Sequence, residues 1–135
     1  MSAKLSGSGP VVLVDDDRDA LRLCQIVFGE SKVTNRLLLM HSGTELLRYL
    51  RSTDPQDPDF PSLVLLDINM PDYNGFEVLT AVRKLPHCDR LPMIVMLTAS
   101  NQDRDIERAM KLGANGYQVK PFGIDEFIAF ASSLL

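Results

Sequence analysis

Leu63-Val64-Leu65-Leu66-Asp67-Ile68-Asn69-Met70-Pro71-Asp72 is the stretch around which the rest of this chain falls into order. Four apolar residues run straight into an aspartate, and Asn, Pro and a Gly-containing turn follow. A short unbroken apolar run is the mark of a strand buried on both faces, and turn chemistry marks its end. Asp67 is therefore expected at the carboxyl end of a central strand, on the lip of the crevice there.

The same alternation recurs outward in both directions. Val11 to Val14 reads as a first strand, ending in Asp15-Asp16-Asp17. From Arg18 to about Glu30, Ala20, Leu23, Cys24, Val27 and Phe28 share a helical face. Asp17 or a neighbour can cap that helix, and Gly29 lies near its end. Arg36 to Met40 reads as a second strand, and Gly43 to Arg51 as a helix burying Leu46, Leu47 and Leu50. The prolines of Ser52 to Pro61 forbid a central strand and predict a surface loop. Leu63 to Leu66 is the third strand, and Gly75 to Leu85 a helix with Phe76, Leu79 and Val82 inward.

Pro86 to Pro92 is a proline-bounded loop, and Met93 to Leu97 a fourth strand ending in Thr98-Ala99-Ser100. Gln102 to Leu112 reads as a helix with Ile106, Ala109 and Met110 on one face, stopped by Gly113. Gly116 to Val119 is a fifth strand ending in Lys120-Pro121. Ile124 to Leu134 is a last helix burying Phe127, Ala131 and Leu134. Strands alternating with helices imply an α/β fold, a doubly wound parallel sheet covered on both faces through right-handed crossovers.

The length of 135 residues fits one domain, with residues 1–9, including Ser6-Gly7-Ser8-Gly9, as a flexible leader. A net charge of -4 with both signs interspersed argues against general affinity for nucleic acid or anionic membrane, while leaving room for a local basic patch. No apolar run approaches a membrane span. Cys24, on a helix, and Cys88, in a loop, lack metal-ligand spacing and read as free thiols.

In open α/β sheets, ligands bind outside the carboxyl ends of the strands. Those ends carry Asp15 and Asp16, Asp67, Thr98 and Lys120. Each has a plainer reading: a cap or turn for Asp15 to Asp17, a strand end for Asp67, a helix cap for Thr98, a solvated loop for Lys120. All fall at one topological place, which favours a joint reading. Clustered carboxylates repel, and a hard cation such as Mg²⁺ relieves the conflict while leaving positions for phosphate oxygens. Lys120 adds positive charge and Thr98 a donor, so the set suits an incoming phosphoryl group with an aspartate as nucleophile.

At this point the chain resembles the response-regulator receiver domain of two-component signalling. The resemblance rests on Val-Asp-Asp-Asp at 14–17, Leu-Leu-Asp-Ile-Asn-Met-Pro at 65–71 with Gly75, Met-Leu-Thr-Ala at 96–99 and Lys-Pro-Phe at 120–122. It implies a flavodoxin-like (βα)5 sandwich, strand order 2-1-3-4-5, with the receiver domain over residues 10–135. It implies that Asp67 is the phosphoacceptor. Asp16, Asp67 and the Asn69 backbone carbonyl would hold Mg²⁺, or Mn²⁺ in its place, with Asp15 acting through water. Thr98, Lys120 and the Ala99 N–H would hold the phosphoryl oxygens. Asn69 and Ser100 would tune loss of the acyl phosphate, and the Lys120–Pro121 bond resembles one that is usually cis. Tyr117 stands where the family places a switch aromatic, relaying a change at Thr98 to the surface of the fourth helix, fifth strand and last helix; an amphipathic strand residue with a wet tip is the other reading.

The implied partners are a sensor histidine kinase or histidine phosphotransfer protein and an unidentified effector. They also include a phosphorylation-linked homodimer, all in the cytoplasm and without direct nucleic-acid or membrane binding. Neither His41 nor His87 suits a phosphodonor. A flavodoxin-like cofactor module would need a Ser, Thr and Gly-rich loop after the first strand, where this chain has three aspartates. An aspartate-nucleophile phosphatase would need a second carboxylate two residues after Asp67, where Asn69 stands. The expected protein is therefore a switch and not an enzyme, with a non-catalytic receiver-like adaptor, or behind it a flavodoxin-like binding module, as the alternative. The loops Ser52–Pro61 and Pro86–Pro92 are longer than in compact family members, which bears on partner choice.

Overall fold

The computed structural model describes residues 7–70, 73–98 and 103–119, with 129, 130 and 133 beyond them. The described elements are β1 (Val11–Val14), α1 (Arg18–Glu30), β2 (Leu37–Met40), α2 (Gly43–Arg51), β3 (Leu63–Asp67), α3 (Gly75–Lys84), β4 (Met93–Thr98), α4 (Asp103–Lys111) and β5 (Gly116–Val119). All four strand pairings are parallel, in the order β2-β1-β3-β4-β5. β3 is the central strand and every one of its five residues is buried.

Strand alternation divides the core into two layers. Val12, Val14, Val64, Leu66, Ile94 and Met96 pack with α2 and α3. Val11, Leu13, Leu63, Leu65, Val95 and Leu97 pack with Leu21, Cys24, Val27 and Phe28 of α1, and Phe130 joins them. The expected last helix otherwise lies outside the described residues, as do its inward positions Phe127, Ala131 and Leu134.

The buried face of α1 departs from expectation. Leu21, Cys24, Val27 and Phe28 are buried, whereas Ala20 and Leu23 are only half-buried and Ile26 is exposed. The helix carries more apolar residues than one stripe can hold, so periodicity alone chooses poorly among them. Gly29 is inside the helix; Ser31 ends it, its backbone N–H and its hydroxyl both donating to the Phe28 carbonyl. In α4 only Ala109 is fully buried, Ile106 is half-buried and Met110 is exposed. Cys24 and Cys88 are both buried free thiols.

The long α2–β3 loop is tied to the fold. Tyr49 donates its hydroxyl to the Asp59 carbonyl at 2.6 Å, Arg36 pairs with Asp59, and Phe60 is buried in the core. Asn35 holds the chain ahead of β1, its amide donating to the carbonyls of Gly7 and Gly9. Leu91–Pro92 is cis, whereas Lys120–Pro121 lies outside the described residues. Among the described residues no helix is long and apolar enough to cross a membrane.

Candidate functional site

The site begins with the register of β1 and β3. Val14 pairs with Leu66, so Asp15 and Asp67 follow on the next rung of adjacent strands. Asp15 is 1% and Asp67 5% exposed, while Asp16 is open to solvent. One carboxylate oxygen from each of Asp15, Asp16 and Asp67 lies within 4.8 Å of the others. Asp17 plays a separate part, because its side chain accepts the Asp19 N–H at 2.9 Å and caps α1. The Asp-Asp-Asp run is thus divided between a site and a cap.

Local hydrogen bonds set the two buried carboxylates. Asp15 accepts the Asp17 N–H at 2.9 Å, and Asp67 accepts the Asn69 N–H at 3.2 Å. Each is a side chain bonding two residues on, the turn chemistry that Asp favours. The chain then folds back beneath Asp67: the Gly75 N–H donates to the Ile68 carbonyl at 2.9 Å. A Cβ at Gly75 would meet the Asp67 carbonyl oxygen at 2.6 Å and Ile68 Cα at 2.7 Å. Glycine is therefore required by the close approach of α3. Asn74 and Glu77 form a reciprocal capping box that fixes the start of α3.

Thr98 ends β4 one residue beyond Leu97, the register partner of Asp67, and is 3% exposed. Tyr117 pairs with Met96 on the next strand and Val119 with Thr98. By strand alternation, Met96, Thr98 and Tyr117 therefore share one face of the sheet. Tyr117 is 45% exposed. Asn69 is exposed beside Asp67. Lys120, Ala99 and Ser100 lie outside the described residues. His41 and His87 are both exposed.

The donor set fits a hard divalent cation. Ionising three oxygens this close is costly without compensating charge, and carboxylates are the ligands such ions take. The strand-end pattern points to these three aspartates but carries no signal for the backbone contacts that aim them. Asn74 and the contact surface of Gly75 are also parts of the site that the strand-end pattern misses, although Asn-Gly at a helix start is a legible cap signal.

Comparisons with known proteins agree with this geometry. A model of the family described as response regulator receiver domain matches residues 11–132. Response regulator Rcp1 of Synechocystis sp. is 31% identical over 82% of this chain and 75% of its own length. The solved Mn(2+)-bound form of Rcp1 superposes with a TM-score of 0.75 at 27% identity, covering 92% of this chain and 89% of that one. A response regulator receiver domain from Rhodospirillum rubrum gives a TM-score of 0.76 at 33% identity, covering 93% and 89%. The transcriptional regulatory protein AfsQ1 of Streptomyces coelicolor is 36% identical over 83% of this chain, which spans 45% of that relative. With five parallel strands in the expected order, three converging aspartates and a family match over nearly its whole length, the chain belongs to the response regulator receiver domain family.

Proposed function

We propose that this chain is a phosphoacceptor switch in which Asp67 takes a phosphoryl group from a phosphohistidine on a sensor kinase or phosphotransfer protein. The observation that carries the reading is the convergence of Asp15, Asp16 and Asp67 within 4.8 Å, with buried Thr98 on the neighbouring strand. An Asp67 oxygen attacks phosphorus. The new O–P bond forms as the P–N bond breaks, and the departing imidazole nitrogen takes the electron pair and a proton from water. The Asn69 N–H orients the nucleophile by holding its Oδ1. The Thr98 hydroxyl, the Lys120 ammonium and the Ala99 N–H receive the phosphoryl oxygens.

Mg²⁺, or Mn²⁺ in its place, supplies neutralising charge for the carboxylates and the phosphoryl group when bound. Asp16, Asp67 and the Asn69 carbonyl would hold it, with Asp15 acting through water; the Mn(2+)-bound form of Rcp1 is in keeping with this donor set. The chain catalyses only its own phosphorylation and dephosphorylation, at a rate tuned by Asn69 and Ser100. The phosphoryl charge draws Thr98 toward Asp67, Tyr117 repacks on the same sheet face, and the surface around α4 and β5 changes for an effector or a second copy. This is a two-state equilibrium biased by a local charge event in the cytoplasm.

Incubation with acetyl phosphate and Mg²⁺, beside Asp67→Asn, tests the reading. The unmodified chain is expected to gain the mass of one phosphoryl group, labile to hydroxylamine, and the variant none. A folded wild-type chain that gains no such mass, with and without a phosphohistidine donor, overturns it.

A further inference from the structure

A second site lies away from the carboxylates. Between α3 and α4 runs a groove of 340 Å³ walled by Tyr73, Phe76, Ala81 and Leu112, with Lys84 and Arg108 at its rim. Arg108 lies over the Phe76 ring, 4.3 Å from its centroid, so the cation is held across the apolar floor. Arg104, Arg108 and Lys111 follow at i, i+4 and i+7 of α4, and all three are exposed, as is Lys84 on the facing helix. Among the described residues none of these four cations has an ion-pair partner. The carboxylate on the same wall, Glu77, is engaged, its Oε1 accepting the Asn74 N–H. In a chain of net charge -4, this is a basic stripe beside an apolar slot, bordered by exposed Glu107, which neighbours Arg104 and Lys111 on the same helix.

We propose that the α3–α4 groove docks an acidic, amphipathic peptide segment of a partner protein. An apolar side chain enters the slot, and flanking carboxylates pair with Lys84 and Arg108. Charge complementarity selects the occupant: the four cations attract an acidic segment, and an apolar floor with an aromatic ring rewards a side chain that a nucleic-acid backbone does not offer. The docking requires no phosphoryl group and is independent of the switch reading.

The test measures fluorescence anisotropy of the full chain with a labelled short peptide carrying a Leu-Phe pair flanked by glutamates. Its counterpart with lysines for the glutamates and a single-stranded oligonucleotide of equal charge are the other arms. The acidic peptide is expected to bind, more weakly as salt rises, and to move the amide resonances of Phe76, Ala81 and Leu112. Lys84→Glu changes an exposed helix position without packing, so its loss of about tenfold in affinity reports charge and not unfolding. Arg108→Gln should weaken binding too, whereas Arg51→Glu on α2 should leave it unchanged. Equal binding of the lysine peptide, an unaffected Lys84→Glu chain, or an equal loss in Arg51→Glu overturns the proposal. Tighter binding of the oligonucleotide overturns it in favour of a nucleic-acid surface.

Discussion

Asp15 and Asp67 stand one rung beyond the Val14–Leu66 pair on adjacent parallel strands, and each gives a carboxylate oxygen to the backbone N–H two residues on. Two separate turns thus aim two buried acids at one point, with exposed Asp16 completing the triangle. Carboxylate oxygens this close repel one another, and a bound cation would relieve that repulsion.

Asp67→Asn separates those effects. The amide oxygen still accepts the Asn69 N–H, while one of three mutually repelling charges is removed. In a chelator the variant should be more stable than the parent by about 1 kcal/mol, seen as a higher Tm. Added Mg²⁺ should then stabilise the parent, by about 1.4 kcal/mol at ten times its Kd, and the variant far less. Equal stabilities in chelator, or equal Mg²⁺ shifts, would mean that the three carboxylates do not act together.

Gly75→Ala should be costly for steric reasons alone. Its Cβ would press on the Asp67 carbonyl oxygen and on Ile68 Cα, both backbone atoms that cannot rotate away. A loss of about 1–3 kcal/mol by urea unfolding is expected, the range for overpacking. Because the displaced strand end carries Asp67, phosphorylation by acetyl phosphate should slow as well. A variant with parental stability would show that α3 can back away freely.

Particular residues show how much of this arrangement is legible in the sequence. The apolar run into Asp67 locates the central strand because a strand buried on both faces has no polar alternation to obscure it. Asp15, Asp16 and Thr98 are legible because strand ends are topologically fixed. Leu21 and Met110 are not, since both helices offer more apolar residues than their buried stripes use. Nor is the knot built by Arg83. Its guanidinium donates to the carbonyls of Gly113, Cys88 and Pro92 and to Asn115 Oδ1, at 3.0 to 3.2 Å. Those contacts reach up to 32 positions along the chain, and no local pattern announces them.

Cys88 provides a pH-dependent check on that knot. Burial pushes its thiol above the usual value of 9.0; the nearby Arg83 cation opposes this and Asp89 adds to it. An acid whose folded value is raised costs nothing while thiols are protonated in both states. Above about pH 9 the unfolded chain ionises first and stability falls. Cys88→Ser should therefore flatten the alkaline decline in unfolding free energy, and a thiol reagent at pH 8 should label the folded parent slowly at both cysteines. Fast native-state labelling of Cys88 would contradict its burial.

Tyr117 gives the last prediction, because its resting position is informative. It is 45% exposed, yet it shares a sheet face with Thr98, whose rung partner Val119 lies two residues further along β5. A hydroxyl drawn toward a phosphoryl group at Asp67 leaves space on that face, and an aromatic ring gains by filling it. The chain has no Trp and three Tyr, so fluorine-labelled tyrosine NMR can follow the ring without interference from indole. Phosphorylation should shift the Tyr117 resonance and reduce its solvent-induced shift, leaving Tyr49 and Tyr73 nearly unmoved. Thr98→Ala should still accept phosphoryl but leave Tyr117 exposed, since the methyl cannot be recruited by hydrogen bonding. If Tyr117 moves equally in that variant, the report travels by another route, and Tyr117 is only a strand residue with a wet tip.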